Sequence, residues 1–334
     1  REHIGGDAIG SKPHFRNWSM TILLVILGLV LLAVGGDILV RGAVGVASRL
    51  GVSPLLAGLT IVGFGTSTPE LVTSLFAAMD GAPGIAVGNI VGSNIANILL
   101  ILGVSALILP LAVSPAAFRR DGLALAAATL ACLAAVLFGF LSRPVGIGLL
   151  ALLVGYIVWA YRSERKSPDE GAEMHEHLAV DATSPGMSLL VGLCLALTGI
   201  VGTIVGARLL VDGAIEIARN LGVAETVIGL TVVAVGTSLP ELVACVVAAL
   251  RRHSDVVLGN IIGSNIYNVL GILGVTAIVQ PIAIPTEIAS FDIWVLLGTT
   301  ALLGLFLRTG WTLKRWEGGL FLVLYAGYVA YLTT

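Results

Sequence analysis

Charge is what this chain has least of. Asp, Glu, Lys and Arg make up 11% of its 334 residues, where a soluble domain carries about a quarter. That deficit, with 57% hydrophobic residues and apolar runs as long as a bilayer is thick, excludes a soluble domain and implies a polytopic membrane protein. Cysteine is scarce too. Cys132, Cys194 and Cys245 lie in apolar runs without CxxC or other metal-type spacing, so they read as small core residues. The five histidines fall in the first twenty residues and in connections. No HExxH helix or Ser–His pairing therefore suggests an intramembrane hydrolase. The net charge of −2 has no basic stripe behind it, so no nucleic-acid partner is expected. The polar stretch 1–19 lacks an initiator Met and is set apart from the fold as a processed or added end.

What remains is apolar and periodic. Helix-length runs fall at about 20–40, 54–79, 84–110, 120–140 and 145–161, then at about 187–212, 225–250, 256–280, 290–307 and 314–332, each long enough to span. A polar connector, 162–186, separates the two sets. It holds His175 and His177 beside Glu176, which read as a solvated loop. At this length it is too short for a folded domain of its own. The expected architecture is all-α, with ten transmembrane helices in two five-helix repeats over 20–161 and 187–334.

The two sets repeat each other. Residues 58–103 and 229–274 align without a gap at an offset of 171, with 25 of 46 positions identical. Val34–Ala43 and Val205–Ala214 extend the register. Five spans is an odd number, so the second copy must enter the membrane inverted. Charge agrees: Asp80 stands where the second copy has Arg251, Arg41 where it has Asp212, and Arg119-Arg120 where it has Ser290-Phe291. With the N-terminus outside, Arg41, Arg49, Arg119, Arg120, Arg162, Arg165, Lys166, Arg251, Arg252, Arg308, Lys314 and Arg315 fall inside and Arg143, Arg208 and Arg219 on the outer half, the bias the positive-inside rule describes. A plasma (inner) membrane location is expected. Inverted repeats are a transporter architecture with the site at the midplane between the copies.

Two motifs recur within the repeats. GTSTPE (Gly65–Glu70) and GTSLPE (Gly236–Glu241) put a carboxylate in the middle of an apolar span. An ionised Glu there is unfavourable by several kcal/mol unless compensated, and no Lys or Arg lies opposite. A bound cation is the simplest compensation; the structural alternative is a protonated Glu joining helices. Pro69 and Pro240 break the backbone hydrogen-bond ladder, which should leave carbonyls near Gly63 and Ala234 unpaired and able to bind. Thr66 and Ser67, like Thr237 and Ser238, share the helical face of their Glu. GNIVGSNIAN (Gly88–Asn97) and GNIIGSNIYN (Gly259–Asn268) add stripes of Asn89, Ser93 and Asn97 and of Asn260, Ser264 and Asn268. Asn94 and Asn265 lie off the stripe, as braces. Amide glue between helices is the alternative for Asn89, Asn94, Asn260 and Asn265. Carboxylates, hydroxyls, amide oxygens and carbonyls are hard donors suited to Ca²⁺ and Na⁺. Asp37 and Asp212 read as surface or cap residues near span ends.

These doubled motifs resemble the two alpha-repeats of the sodium/calcium exchanger family within the cation/Ca²⁺ antiporters, over essentially all ten spans. The resemblance implies an antiporter, not an enzyme, exchanging Na⁺ for Ca²⁺ without a cofactor or an obligate protein partner. It implies ion contacts at Gly63, Thr66, Ser67, Glu70, Ser93 and Asn97, and at Ala234, Thr237, Ser238, Glu241, Ser264 and Asn268. Asn268 departs from relatives that carry Asp there, including potassium-dependent ones, which argues against K⁺ co-transport. H⁺/Ca²⁺ exchange is the second reading, since proton-coupled relatives tend to carry a different motif before the Glu. A passive channel is a further rival, distinguished by Ca²⁺ flux that needs no counter-ion gradient.

Overall fold

A computed structural model describes residues 18–79, 81, 83–165, 187–221, 234–286 and 288–332. The sequence expectations for the stretch 1–17, for most of the connector and for the start of the seventh span lie outside them. The described chain is almost entirely helical. Helix α1 (Trp18–Leu50) is followed by α2 (Leu55–Thr66) and α3 (Thr68–Met79), then α4 (Pro83–Ile108), α5 (Pro115–Leu137) and α6 (Arg143–Arg165). The second half has α7 (Leu189–Asn220), the single turn α8 (Ala234–Thr237), α9 (Leu239–Leu250), α10 (Ser254–Val279), α11 (Ile288–Arg308) and α12 (Arg315–Leu332). Seven helices are long and apolar enough to cross a membrane, or eight if the bent pair α2–α3 is one span.

Local sequence explains the elements. No proline interrupts α1, which stops at Gly51, held at φ +63°, a left-handed conformation glycine adopts without strain. The helix runs ten residues past its expected end at 40. Arg41 does not terminate it, because its side chain reaches solvent and pairs back to Asp37 at 2.9 Å. Asp37 is thus an interior helix residue rather than a cap. Pro69 and Pro240 sit in the first turns of α3 and α9, where a missing N–H matters least. The joint between α2 and α3 is bent by 43°, and Ser67 (φ −80°, ψ 11°) and Ser238 (φ −90°, ψ 8°) occupy the two equivalent joints.

Two departures from the sequence reading concern secondary structure and burial. The chain is not purely helical. Pro110 and Pro281 end α4 and α10, and the residues after them form two-residue strands. β1 (Leu111–Ala112) pairs antiparallel with β4 (Thr312–Leu313), and β2 (Phe140–Leu141) with β3 (Ile282–Ala283). Each clip joins one half to the other. Cys132 and Cys245 are buried, but Cys194 is exposed on α7, because that helix turns much of its surface outward.

The core holds α4 and α10 at its centre, with about four-fifths of their spans buried (78% and 83%). Close packing there depends on glycine. A Cβ on Gly263 of α10 would lie 2.1 Å from the Leu59 carbonyl of α2, and one on Gly199 of α7 would lie 2.4 Å from the Leu39 amide of α1. The first contact sets α2 directly against α10; the second locks α1 and α7 into a pair.

Candidate cation site

The buried polar residues converge where the joints α2–α3 and α8–α9 meet α4 and α10. Glu70 and Glu241 are each 1% exposed. Ser67 Oγ donates to Glu241 Oε1 at 2.8 Å, and Ser238 Oγ donates to Glu70 Oε1 at 3.2 Å. Each carboxylate is thus held by the serine three residues before the other one. The two acids, 171 positions apart in sequence, share one centre.

Other bonds come in the same exchanged pairs. Asn89 Nδ2 donates to the Glu70 carbonyl and to Ser74 Oγ, and Asn260 Nδ2 to the Glu241 carbonyl and to Cys245 Sγ. These amides clamp the backbone under each Glu. Between α4 and α10 four asparagines close a ring. Asn94 Nδ2 donates to the Asn265 carbonyl and Asn265 Nδ2 to the Asn94 carbonyl, both at 3.3 Å. Asn97 Nδ2 donates to Asn265 Oδ1 and Asn268 Nδ2 to Asn94 Oδ1, both at 2.9 Å. The ring orients the side chains of Asn97 and Asn268. Both lie at the start of π-helical turns, Asn97–Ile101 and Tyr267–Ile272, a local widening that often marks a functional position.

The orphaned atoms are informative. Eight buried side-chain atoms have no hydrogen-bond partner among the described residues: Thr21 Oγ1, Ser105 Oγ, His253 Nδ1 and Asp255 Oδ2, and the four on motif residues, Glu70 Oε2, Glu241 Oε2, Asn97 Oδ1 and Asn268 Oδ1. All four of the motif atoms are oxygens, acceptors when the carboxyls are ionised, and they form two repeat-related pairs. Buried polar groups are otherwise almost always satisfied.

The remaining expected residues are placed as follows. Thr66, Ser93 and Ser264 are buried. The Thr66 hydroxyl donates to the Val62 carbonyl at 3.0 Å, and Ser264 Oγ donates to the Gly63 carbonyl at 3.1 Å. Thr237 is half-buried at the end of α8, and Ala234 begins that turn. One expectation needs correction. The carbonyl of Gly63 is not left unpaired by the helix break, because the Ser67 amide also donates to it at 3.2 Å. The carbonyl that Pro69 cannot serve is that of Gly65, and Thr68 Oγ1 takes it at 2.9 Å. The stacked rings of Phe64 and Tyr267, 4.4 Å apart, were not anticipated. Both flank motif residues, Gly63 and Asn268, but no spacing rule flags them.

The Sodium/calcium exchanger protein family model matches residues 20–162 and 191–334. The chain belongs to the sodium/calcium exchanger family. It is similar to the sodium/calcium exchanger MaX1 of Methanosarcina acetivorans, at 33% identity over 94% of this chain and 99% of that one. It is also similar to the inner membrane protein YrbG of Escherichia coli, at 37% identity over 77% and 79% of the two chains. A structure of the sodium-calcium exchanger NCX_Mj, soaked with 2.5 mM Na⁺ and 0.1 mM Ca²⁺, superposes with a TM-score of 0.80 and 35% identity over 93% of this chain and 98% of that one. Membership makes this exchanger an integral membrane cation/Ca²⁺ antiporter, in a family of transporters rather than enzymes.

Proposed function

We propose that this exchanger carries Na⁺ against Ca²⁺ by alternating access at one site near the bilayer midplane. The observation that carries the reading is the set of four orphaned acceptor oxygens on Glu70, Glu241, Asn97 and Asn268. Leaving such groups unpaired in a buried site is unfavourable by about 1–3 kcal/mol each, more if charged, so they call for a cation. Two carboxylates balance one Ca²⁺. The hydroxyls of Thr66, Ser67, Ser93, Thr237, Ser238 and Ser264 and the carbonyl of Ala234 complete an all-oxygen set suited to Ca²⁺ and Na⁺. Mg²⁺ fits poorly, since it sheds water reluctantly and wants a small octahedron. Exchange follows if Na⁺ and Ca²⁺ compete for these oxygens and the empty cage is too unfavourable to reorient.

The same reading takes the chain as ten spans in two inverted five-helix repeats. What supports it is the gapless 171-residue register and the exchange-related hydrogen bonds of the site. The charge distribution supports an N-terminus outside, and the likeness to the inner membrane protein YrbG supports a plasma (inner) membrane location. Protons are the second candidate counter-ion, because they too would neutralise two adjoining buried carboxylates. Purified exchanger in proteoliposomes decides between them. Uptake of ⁴⁵Ca²⁺ should be driven by an outward Na⁺ gradient and not by K⁺ or H⁺ gradients; H⁺-driven uptake would move the assignment to proton coupling. Glu70→Gln and Glu241→Gln should each abolish uptake, and full transport by either variant refutes the site.

A further inference from the structure

The two strand clips are built alike, so their differences can be read residue by residue. In one, the Gly139 carbonyl accepts the Ile284 amide at 2.9 Å; in the other, the Trp311 carbonyl accepts the Val113 amide at 2.8 Å. Arg143 Nε donates to the Ile278 carbonyl near the end of α10, and Arg315 Nη2 donates to the Ile108 carbonyl that ends α4. Both turn residues have a left-handed backbone, Gly139 at φ +73° and Trp311 at φ +53°. Glycine adopts it without strain, whereas a bulky side chain there is an outlier. Outliers of this kind persist only where the surroundings hold them, and they cluster at functional positions. The Trp311 ring stands edge-on to Phe118 at 5.6 Å and is still about a third exposed (36%).

The clip that holds this tryptophan also gathers charge. Arg119, Arg308 and Lys314 stand where the β2–β3 clip has Ser290, Leu137 and Ser142. The fold brings the three to one rim. Arg119 follows Phe118, whose ring meets Trp311. Arg308 ends α11, three residues before Trp311. Lys314 follows β4, and its Cε would lie 3.8 Å from a Cβ on Gly310. All three cations are exposed, as is Arg315. The neighbouring acids are engaged within the fold: Glu317 accepts the Lys314 amide at 2.7 Å, and Asp121 is held by Arg120. The rim thus presents guanidinium, ammonium and indole groups outward.

We infer that the β1–β4 clip is a binding surface for the headgroup of an anionic phospholipid. The phosphodiester takes charge-assisted hydrogen bonds from Arg119, Arg308 and Lys314. The Trp311 indole lies where headgroups meet acyl chains, the level at which amphipathic rings are enriched. A general excess of cations on one face accounts for the charges but not for a tryptophan in a turn that suits glycine. A free anion would use the cations and leave the indole idle. With the N-terminus outside, as proposed above, the clip faces the inner leaflet, whose anionic lipids attract cations beside transmembrane helices. The binding itself is the same in either orientation.

The test titrates the full chain, purified in detergent, with dioctanoyl phosphatidylglycerol, dioctanoyl phosphatidylcholine or inorganic phosphate, and follows retained lipid by native mass spectrometry. Phosphatidylglycerol should be retained in preference to phosphatidylcholine, and inorganic phosphate should not displace it. A cation near an anionic surface contributes about fivefold, so Arg119→Ser with Lys314→Ser should weaken retention about tenfold or more. Arg162→Ser with Arg252→Ser removes the same charge from other exposed positions, beyond the reach of screened charge, and should change retention by less than about twofold. Trp311→Gly installs the residue of the equivalent turn, which its backbone suits, and should also weaken retention. Equal retention of the two lipids, displacement by phosphate, or equal losses in the two charge variants overturns the assignment. Full retention by Trp311→Gly does so as well.

Discussion

The asparagine ring between α4 and α10 makes a quantitative demand. Asn265→Ala removes two bonds, the one from Asn265 Nδ2 to the Asn94 carbonyl and the one from Asn97 Nδ2 to Asn265 Oδ1. It strands a donor on Asn97 and removes the cross-helix bond to the Asn94 carbonyl, both on residues at most 2% exposed. The stranded donor destabilises by about 1–3 kcal/mol and the lost bond by about 0.5–1.5 kcal/mol, which gives about 1.5–4.5 kcal/mol. Interhelical bonds inside bilayers average only about 0.6 kcal/mol, so the floor is about 1.2 kcal/mol. Asn94→Ala should match it, because it strands Asn268 Nδ2 and removes the bond to the Asn265 carbonyl in the same way. The four bonds are distinct, so the double variant should come close to the sum. Thermal unfolding of detergent-solubilised protein, without and with Ca²⁺, measures both parts. The Ca²⁺-induced stabilisation should shrink in each variant, because the freed Asn97 or Asn268 amide no longer aims its oxygen. A loss below about 0.5 kcal/mol for either single variant, or clearly unequal losses, would refute the argument that the ring is a shared brace.

Three other pairs of substitutions test separate parts of the structure. Arg120→Leu should destabilise by about 3–5 kcal/mol, since it leaves Asp121 buried without the guanidinium that holds it at 2.6 and 2.9 Å. Asp292→Asn, at the equivalent position with Tyr328 as its side-chain hydrogen-bond donor among the described residues, should lose about 0.5–1.5 kcal/mol; equal losses in the two melting curves would contradict this. Ser67→Ala and Ser238→Ala each remove the donor to the opposite carboxylate. A bond to a charged group contributes about 1.5–3 kcal/mol, so each should weaken apparent Ca²⁺ affinity about tenfold or more in ⁴⁵Ca²⁺ uptake, and no change in either would break the cross-brace. Gly263→Ala should prevent stable folding, because its Cβ would meet the Leu59 carbonyl at 2.1 Å, whereas Gly148→Ala, with nothing within 4 Å, should gain about 0.5–1 kcal/mol in a helix interior. Size-exclusion profiles and melting curves separate the two.

Much of this was legible in the sequence, for a physical reason. Duplication at a fixed offset turns each weak local signal into two, and a buried Glu is unfavourable enough that its recurrence demands a partner. Helix positions followed from apolar length, and most boundaries lie within a few residues of expectation. The exceptions are instructive. The end of α1 was misplaced because Arg41 looks like a boundary when its neutralising partner, Asp37, is not recognised as one. Arg120 was counted as a loop cation, yet it is buried on Asp121, a pairing between adjacent residues that helical spacing does not suggest. The strand clips depend on contacts between segments about 140 and 200 residues apart, beyond any local pattern.

The site shows where a stripe argument stops. Spacing by four put Asn97 and Asn268 on a common face with the serines, and it put Asn94 and Asn265 off that face. The structure shows Asn94 and Asn265 facing each other between α4 and α10, but spacing could not say what the off-stripe residues do. Their function depends on a neighbour 171 residues away, and only the meeting of α4 with α10 supplies it. Once they meet, an amide must spend its donor on something. Because Asn94 and Asn265 absorb the N–H groups of Asn97 and Asn268, the oxygens of the latter pair are left over. In the proposed site, a ligand oxygen in a buried amide is thus the by-product of a satisfied donor. The residue that satisfies it is as necessary to that proposal as the one assigned to bind.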